Sequence, residues 1–409
     1  IVDIMRSGLL LRELHAVEFT PASLALLAAP SHLGLTRLRL SWSSGFYTDD
    51  EIEQLRFAPI AKILAETLVK LGKLTDFHIE LDFMWPRDWE GEDNEEARAG
   101  IVWTLPAATD VTVSMPDPPL IVAPNALRMT LDKPNALIAA EIALQSPKLQ
   151  SLTLNGDNDL GYYHGWVPDN FTAALRSGFW PDLQTLSLEG SISVDNLSAI
   201  KLPKLRNLSL EVHKATAHHA QQLLTLHPLL ETLVLTLDDR EEELATFAPR
   251  PLPAKPQPLP LPNLHELRIE FADDEFFAAF SFPILSKLQL RGCVRLEVSA
   301  HVTRMPTLAR LEIMDDSSTV FSDSAVEAKS MQTLHVDTAG VTEADFIAML
   351  AMFPNLTSLH LTKANLGLAP LFALCDCPLR QLRELTCATQ IAEAAVDAPL
   401  LLNLLSSSP

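Results

Sequence analysis

The sequence is poor in the residues from which small-molecule chemistry is built. It has no GxSxG, no Gly-rich phosphate loop, no HExxH and no CxxC, and only 14 glycines among 409 residues. The signatures of an activated nucleophile, a nucleotide cradle and a zinc hydrolase are therefore missing. Four cysteines are too few for a disulfide framework, which points to a reducing compartment, cytoplasmic or nuclear. Cys375, Cys377 and Cys387 lie close in sequence, but CxC followed by a lone Cys does not match metal-site spacing. No apolar run reaches the roughly 18 residues of a membrane span, and the N-terminal stretch lacks the basic start and cleavage pattern of a signal peptide. Positive charge is scarce as well: 31 Lys and Arg against 52 Asp and Glu leave a net charge of −21. Phosphate-rich surfaces are bound by clustered cations, so neither nucleic acid nor a membrane is an expected partner. The acidity favours solubility and suits a basic protein partner. No catalytic residue, cofactor or metal is expected, and the chain is not read as an enzyme.

What the sequence does have is one eight-residue phrase, repeated. PKLQSLTL (147–154), PDLQTLSL (181–188) and PKLRNLSL (203–210) state it most plainly as PxLxxLxL. It returns from positions 228, 262, 283, 306 and 354, and more loosely from 329. PAATDVTV (from 106) and PNALRMTL (from 124) keep the register with Ala in the first apolar slot, and LGLTRLRL (from 33) and GKLTDFHI (from 72) keep it without Pro. LLLRELHA (from 9), RQLRELTC (from 380) and PLLLNLLS (from 399) extend it, less clearly, to both ends.

LxL has period two, so its two leucines face one side of a short strand and the residue between them faces the other. Proline suits the start of such a strand, where no ladder N–H is needed. The segments between copies must bring the chain back. TAHHAQQLLTLHP (216–228) and TEADFIAMLAMFP (342–354) carry helical apolar spacing and stop at Pro. Copies mostly about 21 to 26 residues apart match leucine-rich repeats. The expected fold is α/β: a leucine-rich repeat solenoid, or horseshoe, with a parallel sheet on the concave face and helices or irregular returns on the convex face. The expected organisation is a single domain over 1–409 of about 15 irregular units.

Inserts interrupt the repeat near 41–52, 84–100 and 155–170, and every Trp and Tyr precedes residue 181. Trp42, Tyr47, Trp85, Trp89, Tyr162, Tyr163 and Trp166 lie in or beside these inserts. They are read either as an exposed aromatic binding edge or as padding that folds back on the core, since Trp and Tyr serve both ends. The residue between the core leucines should line the concave face; Arg39, His78, Arg268, Gln289, Glu312, His335 and His360 are the candidate contacts there, with small neutral residues in the middle of the series. The insert PRPLPAKPQPLPLP (249–262) is a stiff polyproline stretch. Within it Arg250, Pro253 and Pro256 have the RxxPxxP spacing of proline-recognition ligands, and the competing reading is a spacer. The acidic runs EGEDNEE (90–96) and DDREEE (238–243) are read as solvated loops or docking segments.

VTEADFIAMLAMFPNLTSLHL (341–361) resembles the cysteine-containing class of leucine-rich repeats, with Phe353 in the place of its Cys, and LSKLQLRGCVRLEV (285–298) is similar to another copy, with Cys293 after LxL. The irregular repeats that begin with Pro also resemble the divergent repeat domains of fungal F-box-type proteins. That resemblance implies a substrate-recognition domain of a ubiquitin ligase subunit, joined to a cullin adaptor through an F-box. No F-box-like stretch is recognisable before residue 9; the F-box either lies upstream of Ile1 or does not exist. The alternative is a leucine-rich repeat binding protein with no ligase link.

Overall fold

The computed structural model describes residues 11–17, 19, 24, 34–43, 57–82, 100–115, 118–132, 136–155, 169–193, 200–213, 217–238, 258–272, 274–302, 304–314, 318–320, 327–337, 343–362 and 381–388. The chain divides into two compact units, Ile1–Leu205 and Arg206–Pro409. Both are α/β, each built around a parallel sheet.

In unit 1 the strands are β1 (Glu13–Val17), β2 (Arg37–Ser43), β3 (Asp76–Asp82), β4 (Val102–Thr104), β5 (Asp110–Ser114), β6 (Leu120–Val122), β7 (Arg128–Asp132), β8 (Ser151–Asn155) and β9 (Thr185–Ser193). The main sheet runs β1-β2-β3-β5-β7-β8-β9, every neighbouring pair parallel and in unbroken register. Its returns include the helices α1 (Phe57–Leu68), α2 (Ala136–Leu144) and α3 (Asp169–Ser177). Strands β4 and β6 pair with each other in a separate two-stranded parallel ladder.

In unit 2 the strands are β10 (Asn207–His213), β11 (Thr232–Asp238), β12 (Leu259–Pro260), β13 (Glu266–Glu270), β14 (Phe280–Ser281), β15 (Lys287–Arg291), β16 (Val294–Glu297), β17 (Arg310–Met314), β18 (Ser318–Val320), β19 (Thr333–Asp337), β20 (Ser358–Thr362) and β21 (Glu384–Ala388). The main sheet here is β10-β11-β13-β15-β17-β19-β20-β21, again parallel throughout. The helices are α4 (Ala217–Leu226), α5 (Asp274–Ala279), α6 (Val298–Val302) and α7 (Glu343–Met352). Two short ladders, β12 with β14 and β16 with β18, stand beside them.

Each repeated phrase becomes the same local structure. In PDLQTLSL the N–H of Leu183 donates to the carbonyl of Trp180, which puts Pro181 second in a four-residue turn, where its fixed φ fits and its missing N–H costs nothing. The same bond closes around Pro106, Pro124, Pro203, Pro228, Pro262, Pro306 and Pro354. Two residues after the turn's last leucine the strand begins, and its two core side chains, here Leu186 and Leu188, are buried.

The residue just before each strand carries the stacking. Its carbonyl accepts two hydrogen bonds from the next strand's start: Thr36 O from the N–H groups of Thr75 and Asp76, Thr75 O from Thr109 and Asp110, Gln150 O from Gln184 and Thr185. Unit 2 repeats this from Arg206 O through Thr357 O. Where the residue is Thr or Ser the hydroxyl adds a third donor, as from Thr75 Oγ1 to Thr36 O at 3.1 Å and from Thr357 Oγ1 to Gln332 O at 2.9 Å. Doubly used carbonyls satisfy the strand-start amides that a bare end would leave open.

Behind the sheets the returns close the core. Helix α1 buries Ile60, Ala61, Leu64 and Leu68, and α7 buries Phe346, Met349, Leu350 and Met352, the helical spacing its sequence predicts. Of the short β4/β6 ladder, β6 lies between the closely spaced copies at 106 and 124 and β4 precedes them. Trp103 on β4 and Ile121 on β6 are fully buried, and the small Ala108 and Ala126 fill the first apolar slot where other copies use Leu. No described helix is long and apolar enough to cross a membrane.

Candidate functional site

Within each unit, the residue between the two core positions of each main-sheet strand forms a row on the face opposite the leucines. In unit 1 register pairing aligns His15, Arg39, His78, Thr112, Thr130, Thr153 and Ser187. In unit 2 it aligns Ser209, Val234, Arg268, Gln289, Glu312, His335, His360 and Thr386. Period-two alternation places them there: their described neighbours along the strand are mostly buried, Leu14 and Leu154 being half-buried, while the row itself is mostly half-exposed or exposed.

The two rows differ in what their side chains already hold. In unit 2 the candidates from Arg268 to His360 are engaged within the protein. Arg268 pairs with Glu270 at 2.9 Å, and Arg291 reaches the same carboxylate at 3.3 Å. Gln289 Nε2 lies 2.8 Å from Met314 Sδ, and Arg310 Nε donates to Glu312 at 2.5 Å. Glu312 is consequently 7% exposed, so this candidate is largely withdrawn from the surface by its own neighbour. His335 sits 3.4 Å from Thr362 Oγ1, with its ring edge-on to His360 at a centroid distance of 5.8 Å.

Ser358, His360 and Glu384 bring a hydroxyl, an imidazole and a carboxylate together. Ser358 Oγ lies 2.7 Å from His360 Nε2 and donates to Glu384 at 2.9 Å. Glu384 also approaches that same nitrogen, at 3.8 Å. Because the serine spends its only proton on the carboxylate, His360 Nε2 must be the donor to Oγ. A nucleophile–base pair needs the reverse proton and an acid on the other ring nitrogen. The cluster therefore braces β20 against β21. Among the described residues no group of three His, Cys, Asp or Glu is arranged to hold a metal ion.

In unit 1 the row is open. Thr112, Thr130, Thr153 and Ser187 make no side-chain hydrogen bond among the described residues, and neither do His15 and Arg39. His78 has one weak approach, 4.0 Å from Nε2 to Glu80. The rows on either side are paired instead. Arg37 holds Glu13 at 3.1 Å and Asp76 at 3.6 Å, and Ser114 Oγ donates to Asp132 at 2.7 Å. Arg128 is bonded to Asp110, and that hydrogen bond and charge hold the guanidinium above its ordinary range. Of the arginines on described main-sheet strands, Arg37, Arg128, Arg268, Arg291 and Arg310 each have a carboxylate partner. Arg39 has none. His15 escaped the sequence reading because LLLRELHA is an imperfect copy; its alternation, with His between Leu14 and Ala16, was the available signal.

Comparison with protein-family models gives no match, and comparison with curated proteins gives none.

The aromatic edge expected from the inserts is altered at the position that can be placed. Trp42 is 3% exposed and packs on Phe19 with ring centroids 6.4 Å apart, so the padding reading applies to it and it offers no exposed anchor. The reason is register: Trp42 falls on the leucine side of β2, two residues beyond Leu40. Trp103 and Trp180 are also fully buried, their indole N–H groups donating to the carbonyls of Ala61 at 2.9 Å and Ser146 at 3.1 Å. Tyr47, Trp85, Trp89, Tyr162, Tyr163 and Trp166 lie outside the described residues, as do Arg250, Pro253, Pro256, Cys375, Cys377 and both acidic runs apart from Asp238. Cys293 is a core residue: it is wholly buried, and desolvation pushes its thiol up to about 11.

Proposed function

We propose that the chain is a leucine-rich repeat protein that binds a protein partner on the open row of unit 1, and that it serves as the substrate-recognition domain of an F-box-type ubiquitin ligase subunit. The repeated phrase, its spacing and its one-sided parallel strands support the repeat assignment. The observation that carries binding is the contrast between rows: unit 1 leaves a line of donors without partners among the described residues, whereas in unit 2 the side chains from Arg268 to His360 are held by their own neighbours. A partner that supplies acceptors along this line would gain hydrogen bonds without first breaking internal ones, which lowers the cost of association. The horseshoe's concave face is where such a row would lie.

The test is to purify the full-length gene product from its own host, as wild type and as the Thr130→Glu/Thr153→Glu variant, and to identify what accompanies each by mass spectrometry. A cullin and its adaptor retained by both forms, with client proteins lost only from the variant, is the expected result. Clients lost from the variant with no ligase component in either form would leave a binding protein without the ligase link. Identical client sets from both forms would remove the row from the reading.

A further inference from the structure

We infer that Arg39 is an anchor for a peptide carboxylate, and that the ligand of unit 1 is an extended peptide whose acidic group sits at the β1–β3 end of the row. This rests on the reading of that row as a binding face.

Local charge carries the inference. The chain as a whole is strongly acidic, at −21, yet the central row of unit 1 contains no acid across its seven strands. Its cationic end is formed by Arg39 between His15 and His78, its direct register partners. Of the described acids on the neighbouring positions of this face, Glu13 and Asp76 are engaged by Arg37, and Glu80 approaches His78 at 4.0 Å. A guanidinium left exposed and unpaired among so many carboxylates retains its fork of donors for an incoming one, and Arg binds carboxylates in that fork with two parallel hydrogen bonds. Arg37 on the same strand adds field without competing, because its hydrogen bond to Glu13 and its ion pair with Asp76 are directed sideways.

The remainder of the row suits a peptide better than a small anion. Beyond His78 it continues as four hydroxyl side chains, which can donate to backbone carbonyls or accept from amides. Strands spaced about 4.8 Å apart make the row about 29 Å long, and an extended chain advancing about 3.3 Å per residue covers it with about nine residues. A free acid group alone would occupy one end and leave the hydroxyls unused. A C-terminal carboxylate and an Asp or Glu side chain present the same chemistry to Arg39.

The experiment uses a random nonapeptide library displayed in two formats, with the C-terminus free and with it fused to the carrier, selected on the full chain. Enriched peptides are synthesised as free acids, as C-terminal amides and with each Asp or Glu replaced by its amide, and titrated against wild type, Arg39→Ala, Arg39→Lys and Thr153→Glu. Removing the critical carboxylate or substituting Arg39→Ala should weaken binding at least about ten-fold, with Arg39→Lys recovering part of it. Loss in the C-terminal amide alone identifies a chain terminus; loss in one side-chain amide identifies an internal acid. Peptides that bind wild type and Arg39→Ala equally but fail on Thr153→Glu would overturn the anchor and leave the binding row standing. Failure to select any peptide, or binding insensitive to both substitutions, would overturn the anchor and the row together. Arg39 is exposed and makes no bond among the described residues, so unchanged thermal melting of Arg39→Ala is the accompanying control for folding.

Discussion

Gly292→Ala should destabilise unit 2 through one identifiable collision. Gly292 follows β15 with φ +58, and Phe271 follows β13 with φ +59. The residues before them, Glu270 and Arg291, are register partners, so both sit at the same point of adjacent repeats and turn the chain off the sheet in the left-handed region. An added Cβ at 292 would lie 2.6 Å from Phe271 Cε1 and 2.9 Å from Cδ1. Two costs follow: about 1–2 kcal/mol for an L side chain in that conformation, and about 1–3 kcal/mol for overpacking against the ring. Phe271 is 37% exposed, so part of the second cost is relieved by the ring swinging outward, and a total of about 2–4 kcal/mol is expected. In a Phe271→Ala background the collision is gone and only the conformational part, about 1–2 kcal/mol, should remain. The assay is urea unfolding of all four proteins by far-UV circular dichroism. Tryptophan emission reports unit 1 alone, since every Trp precedes residue 181, and should not shift. Equal cost of Gly292→Ala in both backgrounds would refute the collision, and a cost under about 0.5 kcal/mol would refute the conformational argument as well.

Two further outcomes are expected. Trp180→Phe keeps most of the ring but leaves the carbonyl of Ser146 without the indole donor now 3.1 Å away, a loss of about 1–3 kcal/mol measurable by the midpoint of Trp-emission unfolding; Trp103→Phe does the same at Ala61. Cys293, raised to about 11 from 9.0 by burial, stays a thiol when the unfolded chain has already ionised. Its contribution to stability is complete below pH about 9 and is lost as the pH climbs to about 11, amounting to about 3 kcal/mol. The stability of wild type should therefore fall more steeply than that of Cys293→Ala across that window, and alkylation of Cys293 at pH 8 should be slow until denaturant is added.

Much of the fold was legible because its signal is local. Period two marks the main-sheet strands wherever the phrase is clear, from Arg37–Ser43 to Ser358–Thr362, and helical spacing with a Pro stop marks Ala217–Leu226 and Glu343–Met352. The β4/β6, β12/β14 and β16/β18 ladders were not legible, because strands of two to four residues are too short to show a period. At the candidate site, alternation named Arg39, His78 and their counterparts, but could not say which of them were already bonded. Arg268 and Arg39 occupy the same slot of the phrase; one meets Glu270 and the other meets two histidines.

The sequence by itself determined which residues face the core and which face outward, because a strand's two sides follow from odd and even positions along one short segment. Only the tertiary structure decided which outward residues are spent and which are free. That depends on register between strands about 20 to 40 residues apart in sequence, where Glu13 falls beside Arg37 and His15 beside Arg39. It likewise decided that Trp42 belongs to the core, since a tryptophan's composition fits an edge and an interior equally well and only its side of β2 separates them.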